Sequence, residues 1–173
     1  MKWESMLTWA GLGSFLGFAV AAGLYSPRGG ENYIYLIYVG LALGLAAGAK
    51  YPVRTRASAY AFPIGFMATS ILAGLWMVKS TAQNDIYAFL AVVAVVLVIT
   101  GSSGFLDMFL TPITYFGGFV LAMLVFRGYQ PLQGSEGAVM GLFMVGVMGS
   151  ILAFLAVFSR WLFEASKSIV VRR

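Results

Sequence analysis

Six apolar runs, divided by short polar turns, occupy about two thirds of this 173-residue chain, and no other feature constrains its fold as much. They cover about Met6–Tyr25, Tyr33–Ala49, Ser58–Val78, Ile86–Thr100, Phe105–Phe126 and Gly137–Phe158. A helix that crosses a bilayer needs roughly 20 predominantly apolar residues. The chain has room for six such helices and little else. Composition agrees: 61% of residues are hydrophobic and 10% charged, against about 45–50% and about 25% in soluble domains. The expected fold is therefore all-α, a polytopic membrane protein with six transmembrane helices in one domain over 1–173, ending in a short basic amphipathic tail at 159–173. The first run exceeds the roughly 7–15 residues of a signal-peptide core and is expected to be a retained helix.

The breaks between runs carry turn chemistry: Ser26-Pro27-Arg28-Gly29-Gly30, Lys50-Tyr51-Pro52 and Gly101-Ser102-Ser103-Gly104. They also carry the charge. With six spans and an inner N-terminus, eight cations fall inside (Lys2, Lys50, Arg54, Arg56, Arg160, Lys167, Arg172, Arg173) and three outside (Arg28, Lys79, Arg127). This is the sense of the positive-inside rule and places both termini in the cytoplasm. The net charge of +5 is thus an orientation signal, not a nucleic-acid footprint. The partners it implies are the lipid bilayer and either a second copy or other membrane subunits, with no nucleic acid.

Cysteine and histidine are both absent. That excludes disulfides, thiol nucleophiles, Cys/His zinc sites and imidazole acid–base catalysis. No phosphate-binding glycine loop or paired carboxylates appear, so an enzyme is not expected, and neither a cofactor nor a metal. Met140, Met144 and Met148 could set three thioethers on one helix face, a soft Cu(I) donor set. Apolar packing explains them more simply.

A weak internal repeat links Ile34-Tyr35 to Ile86-Tyr87, and Phe62-Pro63-Ile64-Gly65-Phe66 to Thr111-Pro112-Ile113-Thr114-Tyr115. Read as two three-helix units, the second would be inverted, and a twofold axis in the membrane plane would relate the two proline helices. Each proline removes one backbone donor and frees a carbonyl. At membrane depth such a carbonyl needs a neighbouring hydroxyl, another helix or a wet cavity. Pro63, Thr69, Thr111, Pro112, Thr114 and Tyr115 are therefore candidates for the lining of a polar pathway, the alternative being ordinary kinks relieved locally. Asp107, an acid within apolar sequence, is either an interfacial structural residue pairing with Lys50, Arg54 or Arg56, or a coupling acid at the inner mouth of that pathway.

Glycines recur every four residues: Gly13 and Gly17, then Gly40, Gly44 and Gly48, then Gly137 and Gly141. Small residues at this spacing let helices approach closely, within the chain or between subunits. Trp161, Leu162, Ala165 and Ile169 of the tail are expected toward lipid, and Arg160, Glu164, Lys167 and Ser168 toward water.

From Ile86 to about Lys167 the order of features is an apolar helix, then Pro112 with Tyr115-Phe116-Gly117-Gly118, a polar turn, and a glycine-rich last helix with a basic end. This order resembles a family of small multi-span bacterial inner-membrane proteins of unknown function. The resemblance implies an inner-membrane location and no particular substrate. Two functions remain. The expected one, resting on the repeat and the two proline helices, is a channel or carrier for a small neutral or weakly polar solute. The other is a non-catalytic structural or accessory subunit of a larger membrane complex.

Overall fold

The computed structural model describes residues 2–24, 33, 35–53, 55–77, 105–126 and 136–170, with side-chain surroundings for all but 72–77, 126, 136–145 and 168–170. Five helices hold them: α1 (Lys2–Leu24), α2 (Leu36–Lys50), α3 (Ala57–Met77), α4 (Phe105–Phe126) and α5 (Glu136–Val170). The expected span 86–100 lies outside the described residues. Among the described residues, three helices are long and apolar enough to cross a membrane: α1, α4 and the Gly146–Lys167 part of α5. Leu36–Lys50 and Ala57–Ile71 are shorter apolar helices.

Two helices overrun the bounds that hydropathy suggests. α1 begins at Lys2 rather than Met6, because Glu4 in its first turn suits the positive helix N-terminus. The tail is not a separate segment: α5 continues unbroken from Glu136 to Val170. No proline or glycine lies between Phe158 and Val170, and Arg160 pairs with Glu164 one turn on. In contrast, α2 stops where Pro52 forces Tyr51 into an extended conformation (φ −115°, ψ 91°).

The helices are assembled by backbone contact. α1 and α2 are antiparallel, and glycines line their seam. A Cβ added at Gly13 would strike the Gly40 carbonyl, at Gly17 the Leu36 carbonyl, at Gly44 the Trp9 carbonyl, and at Gly48 the Met6 backbone. α3 and α4 meet in the same way, with Gly65 against the Tyr115 carbonyl and Gly118 against Phe62. Gly117 lies on the Gly11 carbonyl and ties α4 to α1. On its remaining side α4 presents rings: Phe119 covers Gly146 and Tyr115 covers Gly149 on antiparallel α5. Tyr115 is buried with Ala61, Ala68, Ala153 and Ala156, and Met108 with Ala57 and Val157. α4 is thus the helix that α1, α3 and α5 all pack against.

The directions follow from these contacts. α1, α3 and α4 begin at one end of the bundle, and α2 and α5 end there. Pro63 and Pro112 consequently lie on parallel neighbours, and both helices run on through them. A twofold axis in the membrane plane would set the proline helices antiparallel, so the pair does not have the inverted relation that the repeat suggested. Residues about fifty apart face each other along two helices of the same sense.

The α1–α2 seam makes Gly44 intolerant of a side chain. Replacing it by Leu should separate the two helices and cost about 1–3 kcal/mol, the usual range for overpacking. Gly23→Leu, where the surroundings are open, should be nearly silent. Thermal unfolding of both variants in detergent checks this, and equal melting temperatures would contradict it.

Candidate functional site

The polar side chains buried in this apolar bundle fall into two groups: a network at the end where α1, α3 and α4 begin, and isolated hydroxyls at mid-depth. Asp107 centres the first. It lies in the first turn of α4 and is 1% exposed. One carboxylate oxygen accepts the Arg56 N–H (3.2 Å), and the other accepts the Ser58 N–H (3.3 Å) and the Ser58 hydroxyl. Arg56 is the N-cap of α3, since its carbonyl receives the Tyr60 N–H at 3.2 Å. An arginine side chain cannot cap the free N–H groups of its own helix. Asp107 does so from the neighbouring helix, with its negative charge at the positive end of α3.

The connection from α2 to α3 is strapped down beside it. Ser5 donates to the Tyr51 carbonyl and accepts the Val53 N–H, each at 3.0 Å. Trp9 Nε1 donates to the same carbonyl at 3.0 Å. Thr8 donates to the Glu4 carbonyl and lies 3.0 Å from the Thr55 hydroxyl. With its proton committed, Thr8 accepts from Thr55 there. The Arg56 guanidinium reaches Glu4 at 3.5 Å. Of the three cations expected as partners of Asp107, Arg56 thus gives it a backbone N–H, while its side chain goes to another acid. Arg54 lies outside the described residues.

The threonines among the candidate pathway residues bond within their own helices. Thr69 donates to the Gly65 carbonyl (2.7 Å), Thr111 to the Asp107 carbonyl (2.5 Å) and Thr114 to the Thr111 carbonyl (3.1 Å), each within its own helix. All three are buried, and so is Tyr115. Pro63 and Pro112 are half-buried. Glycine seats α3 on α4 without a polar gap among the described residues. Asp107 faces the start of α3, not an open mouth. Of the packing glycines, Gly13, Gly17, Gly40, Gly44 and Gly48 lie in the α1–α2 seam. The surroundings of Gly137 and Gly141 lie outside the described residues, as do those of Met140 and Met144. Met148 is exposed.

Sequence reasoning passed over Ser5, Thr8, Thr55, Ser58 and Ser14. Ser5 and Thr8 were detectable, because hydroxyls three apart at the start of an apolar run share one helix face. Ser14 stands apart. It is fully buried on α1, and its hydroxyl has no hydrogen-bond partner in the structure. Gly11, one turn earlier, touches Thr114. No group of three or more His, Cys, Asp or Glu side chains that could hold a metal occurs among the described residues. No protein-family model, curated protein or solved structure matches the chain.

The cap can be tested by graded removal. Asp107→Ala leaves the Arg56 and Ser58 donors unsatisfied, at about 1–3 kcal/mol for a buried donor. Asp107→Asn keeps an acceptor oxygen and should lose clearly less. Circular dichroism melts in detergent should therefore rank wild type above Asn, and Asn above Ala. An Ala variant that melts with wild type would remove the cap.

Proposed function

We propose that this chain is a multi-pass inner-membrane protein acting as a non-catalytic helical subunit of a membrane assembly. The five helices together with the run 86–100 form its six spans, and both termini face the cytoplasm. The outer surface supports the membrane reading: Leu43, Met67, Phe105 and Phe163 are among many large apolar side chains more than half exposed. A soluble monomer rarely exposes contiguous apolar surface on that scale. All the described cations, Lys2, Lys50, Arg56, Arg160 and Lys167, cluster at one end of the bundle, which supports the orientation. The resemblance of 86–167 to small inner-membrane proteins points to the same location.

The observation that carries the subunit reading is the α3–α4 seam. Its backbones touch at Gly65 and Gly118, and the hydroxyls of Thr69, Thr111 and Thr114 each bond within their own helix. A conduit needs polar groups turned toward a gap. Helices of this kind instead offer a dry, close-packed body with apolar faces available to partner helices. One observation favours transport as the second reading. The Ser14 hydroxyl is buried without a partner on α1, one turn from Gly11, which packs against Thr114, so a path along α1 and α4 rather than between α3 and α4 would have a polar group to use.

Flux into liposomes carrying the purified chain separates the two. The subunit reading expects no flux above empty liposomes across a panel of small neutral and ionic solutes, and a particle larger than one chain after cross-linking in native membranes. Solute flux that Ser14→Ala or Thr114→Val reduces would replace it with transport. For orientation, cysteines at Ser26, Ser80 and Ser135 should label from outside, and one at exposed Ser166 only after permeabilisation. The reverse pattern would invert the topology. Thr55 is unsuitable as the inner probe because it is buried against Thr8.

A further inference from the structure

We propose that the rim where α1 and α3 begin binds an anionic phospholipid, with its phosphate on the Arg56 guanidinium and an acyl chain along the outward face of α3. The proposal rests on the membrane reading given above. Its first support is that cation and rings share one patch, joined by two contacts between the same helix starts. The Trp3 ring of α1 meets the Tyr60 ring of α3 edge-on, with centroids 5.4 Å apart. Glu4, the next residue of α1, reaches Arg56, one turn before Tyr60. That ion pair is lopsided: the Arg56 side chain is 70% exposed and the Glu4 side chain 15%. The contact runs through Nε, at 3.5 Å, so the patch turns guanidinium rather than carboxylate outward. A guanidinium held by that edge keeps its terminal N–H groups for a phosphate, which it meets with two parallel bonds. Trp3 is 47% exposed and Tyr60 half-buried. Rings of these two types, apolar with one polar tip, favour the level of the headgroups.

The second support is the track that continues from the patch. Residues four and seven apart share a helix face, so Arg56, Tyr60, Met67 and Ile71 form one stripe along α3. Met67 is 62% exposed and Ile71 51%. Gly65, which seats α3 on α4, lies on the opposite side. At about 1.5 Å per residue, Tyr60 to Ile71 covers about 17 Å. One leaflet of a roughly 30 Å hydrocarbon core has about the same depth. Arg56 lies about 6 Å before Tyr60 along the axis, which brings it to the headgroup layer when the Tyr60 ring is at the core boundary.

Charge and length select the occupant. Among the described residues, the other carboxylates at this end do not oppose a phosphate on the stripe: Asp107 is buried against the start of α3, and Glu164 of α5 is paired with Arg160. A second copy docked on this stripe about an axis along the membrane normal would set Arg56 against Arg56. A phosphate diester carrying an acyl chain one leaflet long matches both halves of the stripe.

Native mass spectrometry of the purified chain in mild detergent, titrated with phosphatidylglycerol or with phosphatidylcholine, tests the site. Phosphatidylglycerol should be retained in preference. Arg56→Gln should weaken its retention roughly fivefold, the factor that one near-surface cation contributes. That variant keeps the backbone N–H that Asp107 accepts. Glu4→Gln combined with Arg56→Gln removes both members of the ion pair and leaves the net charge as it is, yet should weaken retention as much. The double variant stays informative if Arg56→Gln alone does not fold, which circular dichroism reports. Lys167→Gln, on α5, should leave the preference unchanged. Met67→Ala with Ile71→Ala should weaken retention of both lipids alike. Equal retention of the two lipids by the wild-type chain would overturn the site. So would a preference that survives the double glutamine variant, or one that Lys167→Gln lowers to the same extent. A disulfide-linked dimer of the Met67→Cys chain that excess phosphatidylglycerol does not prevent would make the stripe an interface between copies and overturn it too. Release of the chain from native membranes by alkaline carbonate would overturn the membrane reading itself. Retention there without a phosphatidylglycerol preference would overturn the lipid site alone.

Discussion

How closely two backbones can approach governs this molecule. Helices surrounded by lipid gain nothing from burying apolar surface against one another, because the tails around them are equally apolar, and close packing has to supply the attraction instead. Here α2 lies on α1 along Gly40, Gly44 and Gly48, α3 on α4 at Gly65 and Gly118, and α4 on α1 at Gly117. The rings of Tyr115 and Phe119 are seated over Gly149 and Gly146 of α5. Once backbones touch at this many points, no width is left between α3 and α4 for a polar column. The hydroxyls of Thr69, Thr111 and Thr114 then have only their own carbonyls to bond.

Glycine contact alone leaves the axial register open, since one turn of slip would offer similar surfaces. The Asp107 cap supplies the missing reference at the starts of α3 and α4. A carboxylate taken out of water is costly unless charge-assisted hydrogen bonds meet it. The three donors that meet Asp107 exist only where the first turn of α3 lies beside the first turn of α4. Slip by a turn would leave both the acid and the helix start unsatisfied. The same end holds the Ser5, Thr8 and Trp9 bonds to the 51–55 strap, so one rim of the bundle is polar and pinned while the remainder packs dry.

That division bears on function. The polar network is spent on architecture: caps, straps and ion pairs account for its groups. What remains is at the surface, in the exposed apolar side chains of the helices, and at Ser14. Among the described residues, Ser14 is the buried side chain whose hydroxyl has no hydrogen-bond partner.

The sequence by itself determined the class and the parts. Runs of apolar residues at span length, turn clusters between them and cations on alternate turns are local properties, legible one segment at a time, and α1–α4 begin and end within a few residues of where those signals lie. Glycine spacing likewise announced close approach on helices one and two. Only the tertiary structure decided which surfaces meet. Asp107 took the backbone of Arg56 instead of a cation, because parallel packing brings it under a helix start whose own cap residue cannot cap. The proline helices run in the same direction, which their similarity of sequence leaves open. The tail is a continuation of α5, since falling hydropathy marks where an apolar stretch ends and not where a helix's hydrogen bonds stop. In each case the deciding quantity was a distance or register between segments about fifty residues apart, and hydropathy and spacing describe each segment alone.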